Sequence, residues 1–268
     1  MSGVRIPMRA LSGDIVLAGL FNHQPMSFRG QKSIGVLVLH GFTGSPWSMR
    51  PLAEHVMSLG YSVELPCLPG HGTSWQDMSR FSRHAWLAEV DRAYWRLRAQ
   101  GCDVVIAGLS MGGALALYQS ARRPVIGTIV INPYVVDPTP LLSLSPYAKF
   151  FISSTSSIAS DIAVEGVDEG AYDRVPTAAA AQLHFLGRQL RPVIPSLSEP
   201  VLYFRSRQDH VVSDASHRYF LKNALCPVEF IELENSYHVA TLDYDAPFIF
   251  EHATVFLTSC ELSQKVTL

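Results

Sequence analysis

Apolar residues run along this chain in two rhythms. Residues 34–40 (IGVLVLH), 61–65, 103–107 (DVVIA), 126–131, 201–204 and 228–233 are short, nearly continuous Val/Ile/Leu/Phe runs. Runs of that length with no polar alternation suit parallel strands buried on both faces. Between them the period becomes helical. Residues 84–98 set Trp86, Val90, Ala93 and Leu97 on one stripe, the mark of a helix packed on one side. Residues 51–59, 114–120 and 246–257 are further helices, and Gly60 and Gly101 stand where a helix C-terminus turns left-handed. Strands alternating with helices predict a mostly parallel central sheet with helices on both faces. The grammar breaks between Pro133 and Pro195, a stretch rich in Ser, Pro and Ala. It reads as an insertion, mainly helical, standing above the sheet. The expected organisation is therefore a core of residues 1–133 and 196–268 with a cap over 134–195.

With 268 residues, the chain is within the range of one large α/β domain and buries enough surface to need no staples. Hydrophobic residues make up 48% and charged residues 16%, well under the about 25% charge of a typical domain, which excludes disorder. A net charge of −2 offers no basic stripe for nucleic acid. No apolar run reaches the roughly 18 residues of a membrane span. The N-terminal apolar stretch 15–20 is short and broken by glycine, a poor secretory signal. Cys67, Cys102, Cys226 and Cys260 have neither metal-ligand spacing nor a CxxC pair. They read as small buried hydrophobes of a reducing cytoplasm. Motifs for phosphate, zinc and dinucleotide binding are missing, so no metal and no cofactor is expected.

Candidate chemistry begins at Gly108-Leu109-Ser110-Met111-Gly112. By itself a G-x-S-x-G match arises by chance in roughly one protein in ten of this length. Its setting, after a buried strand and before an Ala/Leu-rich helix, is that of a nucleophile elbow. A serine hydroxyl needs a base, and the base an orienting acid. In this arrangement they follow in the order Ser, acid, His, each after a strand. Asp209, after 201–204, and His238, after 228–233, meet that order. Asp137, after 126–131, is the rival acid, and Asp214 reads as a helix N-cap. His210 and His217 precede the last strand, and His252 lies inside the final helix. The oxyanion donors expected are the backbone N–H of Met111, which follows the nucleophile, and that of Phe42 in His40-Gly41-Phe42-Thr43-Gly44. His40 is expected to pack and hydrogen-bond locally, and Gly70-His71-Gly72 to form a turn.

The blocks HGFTGSPWSMRPLAEH (40–55), GHGT (70–73), GLSMGG (108–113), DHVV (209–212) and NSYHVATLDYD (235–245) resemble bacterial monoacylglycerol lipases and the related carboxylesterases of the α/β-hydrolase superfamily. The resemblance covers the core and thins at both termini and across the insertion. It implies Ser110 as nucleophile, Asp209 as acid and His238 as base, with Phe42 and Met111 at the oxyanion, in agreement with the spacing. Within the insertion it implies that Ile158 contacts substrate and that Glu169 bonds a glycerol hydroxyl.

The function expected is hydrolysis of monoacylglycerols to fatty acid and glycerol. A carboxylesterase for short- to medium-chain esters is the alternative, and a non-ester α/β-hydrolase or a binding protein on the same scaffold a further one. The expected partner is a small lipid ester, with no nucleic acid, no stable membrane insertion and a transient lipid-surface contact. The apolar stretch Leu141, Leu142, Leu144, Tyr147, Phe150, Phe151 and Ile152 reads either as cap packing or as an acyl tunnel and lipid-facing lid.

Overall fold

The computed structural model describes residues 23–137, 139–157 and 160–266. The stretch 15–20 and Ile158 lie outside them. First come β1 (Met26–Phe28), β2 (Ile34–Leu39), α1 (Arg50–Ser58), β3 (Ser62–Leu65), α2 (Trp75–Met78) and α3 (Arg83–Ala99). They are followed by β4 (Asp103–Leu109), α4 (Met111–Ser120) and β5 (Gly127–Ile131). The span 134–195 holds α5 (Pro140–Ala148), β6 (Ser154–Ser156), β7 (Arg174–Pro176) and α6 (Thr177–Leu190). After these stand β8 (Val201–Ser206), α7 (Asp214–Asn223), β9 (Val228–Leu233) and α8 (Ala246–Val266).

The main sheet runs β1-β3-β2-β4-β5-β8-β9. β1 pairs antiparallel with β3, and every other neighbour is parallel. The strand period of two divides each central strand between two cores. Leu37 and Leu39 of β2 and Val104 and Ile106 of β4 face one way, against Trp86 and Leu97 of α3, Leu115 of α4 and Leu186 of α6. Val36, Val38, Val105 and Ala107 face the other way, against Leu52 and Val56 of α1 and Ile249 and Leu257 of α8. Such side chains contribute about 1.5–3 kcal/mol each on burial, so the doubly covered sheet predicted from the run pattern is where the stability resides. Gly60 and Gly101 take positive φ (88° and 84°) after α1 and α3, as expected of helix-ending glycines.

The structure adds three features to the sequence reading. β1 is a three-residue edge strand, too short and too exposed to leave a pattern. β9 is only partly buried because it closes the opposite edge. In the insertion, the antiparallel pair β6–β7 accompanies the helices. Among the described residues, no helix is long and apolar enough to cross a membrane.

Candidate active site

In the main sheet every strand but the edge strand β1 runs parallel, so the loops that leave these strands meet along one rim, where α/β sheets bind their ligands. The turn from β4 to α4 carries Ser110, at φ 56°, ψ −118°. A residue with a side chain adopts that region only at a cost of order 1–3 kcal/mol, when its surroundings over-determine it. The flanking glycines supply the constraint. A Cβ on Gly108 would lie 2.2 Å from the carbonyl oxygen of Gly112, and one on Gly112 would lie 2.2 Å from that of Leu39. The Ser110 N–H donates to the carbonyl of Ile131 at 3.0 Å, and the Tyr134 N–H to that of Ser110 at 3.1 Å. Helix α4 begins immediately at Met111, so the first amides of the helix point beyond its N-terminus.

The turn after β2 lies alongside. A Cβ on Gly41 would sit 3.5 Å from Cβ of Ser110. Phe42 sets its ring edge-on to Trp86, with centroids 6.1 Å apart. His40 is fully buried and bonds Gly41 O through Nδ1 at 3.0 Å, while its Nε2 accepts from the Leu68 N–H at 3.1 Å. Accepting at one ring nitrogen leaves the other to donate, so His40 is neutral. Burial first, then the neighbouring His71, pushes its pKa down to about 3. Both His40 and His71 are structural, and Gly70 and Gly72 make the expected turn at φ 82° and 67°.

Asp209 stands three residues past β8 and His238 five past β9. His238 Nδ1 and Asp209 Oδ2 are 2.9 Å apart. The other carboxylate oxygen of Asp209 accepts from the N–H groups of Val211 and Val212, both at 2.8 Å. Burial opposes ionisation of Asp209, but the attraction of His238 and these hydrogen bonds win and hold it below the usual carboxylate range. For His238, burial pulls the pKa down, and the charge and hydrogen bond of Asp209, with the charges of Glu169 and Asp161, pull it up; the net is upward.

Ser110, Asp209, His238, Phe42 and Glu169 all line one cavity of about 560 Å³, inside the range usual for small-molecule sites. Leu109, Leu142, Val175, Leu183 and Val212 supply its apolar wall. Glu169 is 9% exposed. Its Oε1 accepts from the Ser160 N–H at 3.4 Å, and Oε2 would be 3.3 Å from a Cβ on Gly44. Burial first, with the nearby Asp168 and Asp161 charges, outweighs His238 and raises its pKa. No cluster among the described residues could hold a metal ion.

The rival acid Asp137 is committed elsewhere. It accepts from Tyr134 Oη, from Ser143 Oγ at 2.6 Å and from His184 Nδ1 at 2.7 Å. Asp214 is not the N-cap of α7; Ser213 holds that position, and Asp214, in the first turn, pairs with Arg205 and Arg218.

The chain and its fold are matched by known proteins. Residues 36–249 match the alpha/beta hydrolase family. The chain belongs to that family. It is 40% identical over 225 residues to a thermostable monoacylglycerol lipase of Bacillus sp. (strain H-257), covering 83% of this chain and 90% of the relative. A carboxylesterase of Bacillus subtilis (strain 168) is 24% identical, over 87% of this chain and 96% of its own length. A solved structure among two metagenome-derived lipolytic enzymes, LipS and LipT, superposes with a TM-score of 0.85 at 36% identity, over 88% of this chain and 98% of that one. A soluble variant of the monoglyceride lipase of Saccharomyces cerevisiae shares the fold at a TM-score of 0.69 and 17% identity, over 90% and 91% of the two chains. The resemblance drawn from the sequence motifs is thereby shown, and the fold is the α/β-hydrolase fold expected.

Sequence reasoning missed the groups that hold the histidine loop. Asn132, buried at φ 45° after β5, donates from Nδ2 to the carbonyl of His238 at 2.8 Å and to Ser206 Oγ at 2.9 Å. Ser206 Oγ donates to Tyr237 O at 2.7 Å. Asp243 accepts from the N–H groups of Tyr237 and Ala163 at 2.8 and 2.7 Å. A polar residue closing a buried strand was the only cue for Asn132.

Proposed function

We propose that this α/β-hydrolase cleaves monoacylglycerols to fatty acid and glycerol through an acyl-enzyme on Ser110. The reading rests above all on Glu169, a buried carboxylate facing an otherwise largely apolar cavity that also holds Ser110 and His238. An acyl chain has no use for such a group, whereas a glycerol hydroxyl can donate to it. The two Bacillus relatives are carboxylic ester hydrolases, and the one named a monoacylglycerol lipase is the more similar of the two.

In this mechanism His238 Nε2 takes the Ser110 proton as Oγ attacks the ester carbonyl. Asp209 holds Nδ1–H and stabilises the imidazolium that forms. The N–H groups of Phe42 and Met111 receive the oxyanion. His238 protonates the leaving glycerol oxygen, and a water molecule, activated by the same base, releases the fatty acid. No cofactor enters the scheme.

The span 134–195 acts as the cap. Leu142 and Leu183 belong to the cavity wall, while Leu144, Tyr147, Phe150, Phe151 and Ile152 are exposed at 56%, 73%, 75%, 91% and 48%. That favours both halves of the expectation, an inner acyl wall and an outer face for transient contact with a lipid surface. Four free cysteines agree with a cytoplasmic location. Hydrolysis of monoacylglycerols, triolein and short nitrophenyl esters tests the proposal. Monoacylglycerols should give the highest kcat/KM; a preference for triolein would overturn it, and a preference for short esters would favour the carboxylesterase alternative.

A further inference from the structure

Asp161 belongs to the inserted span, yet it grips both loops that carry the partners of Ser110. Its Oδ2 accepts from the backbone N–H of His210, the amide directly after Asp209, and from the backbone N–H of His238, each at 3.1 Å. Its Oδ1 lies 2.8 Å from Nδ1 of His210, whose ring is held edge-on by Tyr237 at 4.7 Å between centroids. Its own carbonyl accepts from the Val239 N–H at 3.1 Å. The side chain is only 9% exposed, so these bonds compete little with water, and charge-assisted bonds of this kind are about twice as strong as neutral ones. One carboxylate oxygen thus spans the acid loop and the histidine loop, whose side chains meet in the 2.9 Å His238–Asp209 bond.

We infer that Asp161 is a positioning residue: it fixes the separation of the Asp209 and His238 loops, and the cap segment around it is a permanent part of the catalytic frame. The neighbours of Asp161 point the same way. Ala163 and Val164 donate to Asp243, which also accepts from Tyr237, and Ile162 packs against the core. Residues 162–164 are thereby tied to the core beside the two loops. The inference rests on the reading of Ser110, His238 and Asp209 as the triad.

The test is kinetic and spectroscopic, with a short nitrophenyl ester and the full chain. Asp161→Ala should lower kcat by about 10²-fold, as expected of a misplacement on the scale of 1 Å, with KM changed by less than about threefold. Asp161→Asn, whose carbonyl oxygen can still accept from both amides, should recover kcat to within about tenfold of wild type. In the proton NMR spectrum the downfield resonance of the His238–Asp209 hydrogen bond should be lost or broadened in Asp161→Ala and kept in Asp161→Asn. If Asp161→Ala fails to fold, Asp161→Asn and His210→Ala decide: normal kcat in His210→Ala with a kcat loss in Asp161→Asn as large as that expected of Asp161→Ala would overturn the inference. So would an Asp161→Ala protein with wild-type kcat and resonance. Wild type and Ser110→Ala in the same assay separate the two levels: an inactive wild type, or an active Ser110→Ala, sinks the triad reading itself, whereas normal controls beside an unaffected Asp161→Ala sink the positioning role alone.

Discussion

The Nδ1 atom of His238 lies 2.9 Å from Oδ2 of Asp209, although 29 residues separate them in the chain. Both groups are buried, so in the proposed mechanism the imidazolium formed on His238 has a hydrogen-bonded counter-charge held in fixed geometry. Asp209→Asn keeps the shape but offers the wrong hydrogen-bonding partner to Nδ1. It should lower kcat by about 10⁴-fold with KM little changed. Steady-state kinetics on a nitrophenyl ester checks this; a loss below about tenfold would mean that another group orients His238.

The pH profile follows from the same environment. In the proposed mechanism His238 must be neutral to accept the Ser110 proton, and its pKa is raised above 6.5 because the Asp209, Glu169 and Asp161 charges overcome burial. The acid limb of kcat/KM should therefore fall above pH 6.5, higher than for an unperturbed histidine. Glu169→Gln removes one of those charges and should shift the limb to lower pH while raising KM for monoacylglycerols. A limb that stays put in the Glu169→Gln profile counts against its electrostatic contact with His238.

Ser110 offers a stability test of the strained turn. Ser110→Ala should be inactive beyond the residual catalysis left by the oxyanion site and binding, about 10³–10⁴-fold over water, and should fold normally. Ser110→Gly should also be inactive and, by relieving the positive φ, should be more stable than Ser110→Ala by about 1 kcal/mol. Thermal melts of the two variants make the comparison, and equal Tm values would argue against stored strain.

Acid sensitivity should be set by a buried histidine pair. Burial, above all, pushes His40 down to about 3 and His71 down to about 4 from an ordinary 6.5. Both are neutral in the folded protein, while the unfolded chain takes up protons below pH 6.5. Stability should thus fall as pH drops below 6.5, by up to about 1.4 kcal/mol per pH unit for each histidine, until the folded values are reached. Chemical denaturation between about pH 7 and about pH 5 measures the slope; stability independent of pH over that range would be incompatible with two neutral buried imidazoles.

The exposed aromatics of the cap predict a split between substrates. The double substitution Phe150→Ser, Phe151→Ser removes two side chains that are 75% and 91% exposed. It should weaken hydrolysis of vesicle-borne monoacylglycerol about tenfold or more, since a phenylalanine transferred to an apolar surface is worth about 1.5–3 kcal/mol. Hydrolysis of a dissolved short ester should be unchanged within about twofold. Equal losses on both substrates would assign these residues to the acyl wall instead.

The sequence alone determined the elbow, the sheet and the triad candidates, because each is written in contiguous residues. Gly108 and Gly112 cannot bear a Cβ where the chain turns, and a buried parallel strand must be apolar on both faces. Asp209 and His238 were candidates from chain order, with Asp137 as the rival acid, since each follows a strand. What only the tertiary structure decided is the set of long-range polar bonds. Asp137 lost its rival claim because Tyr134, Ser143 and His184 surround it. The clasps of Asn132 and Asp161 on His238 join residues 106 and 77 apart. A hydrogen bond across such a separation imposes no period and needs only one donor and one acceptor, so it leaves no trace in the sequence until the backbone has brought them together.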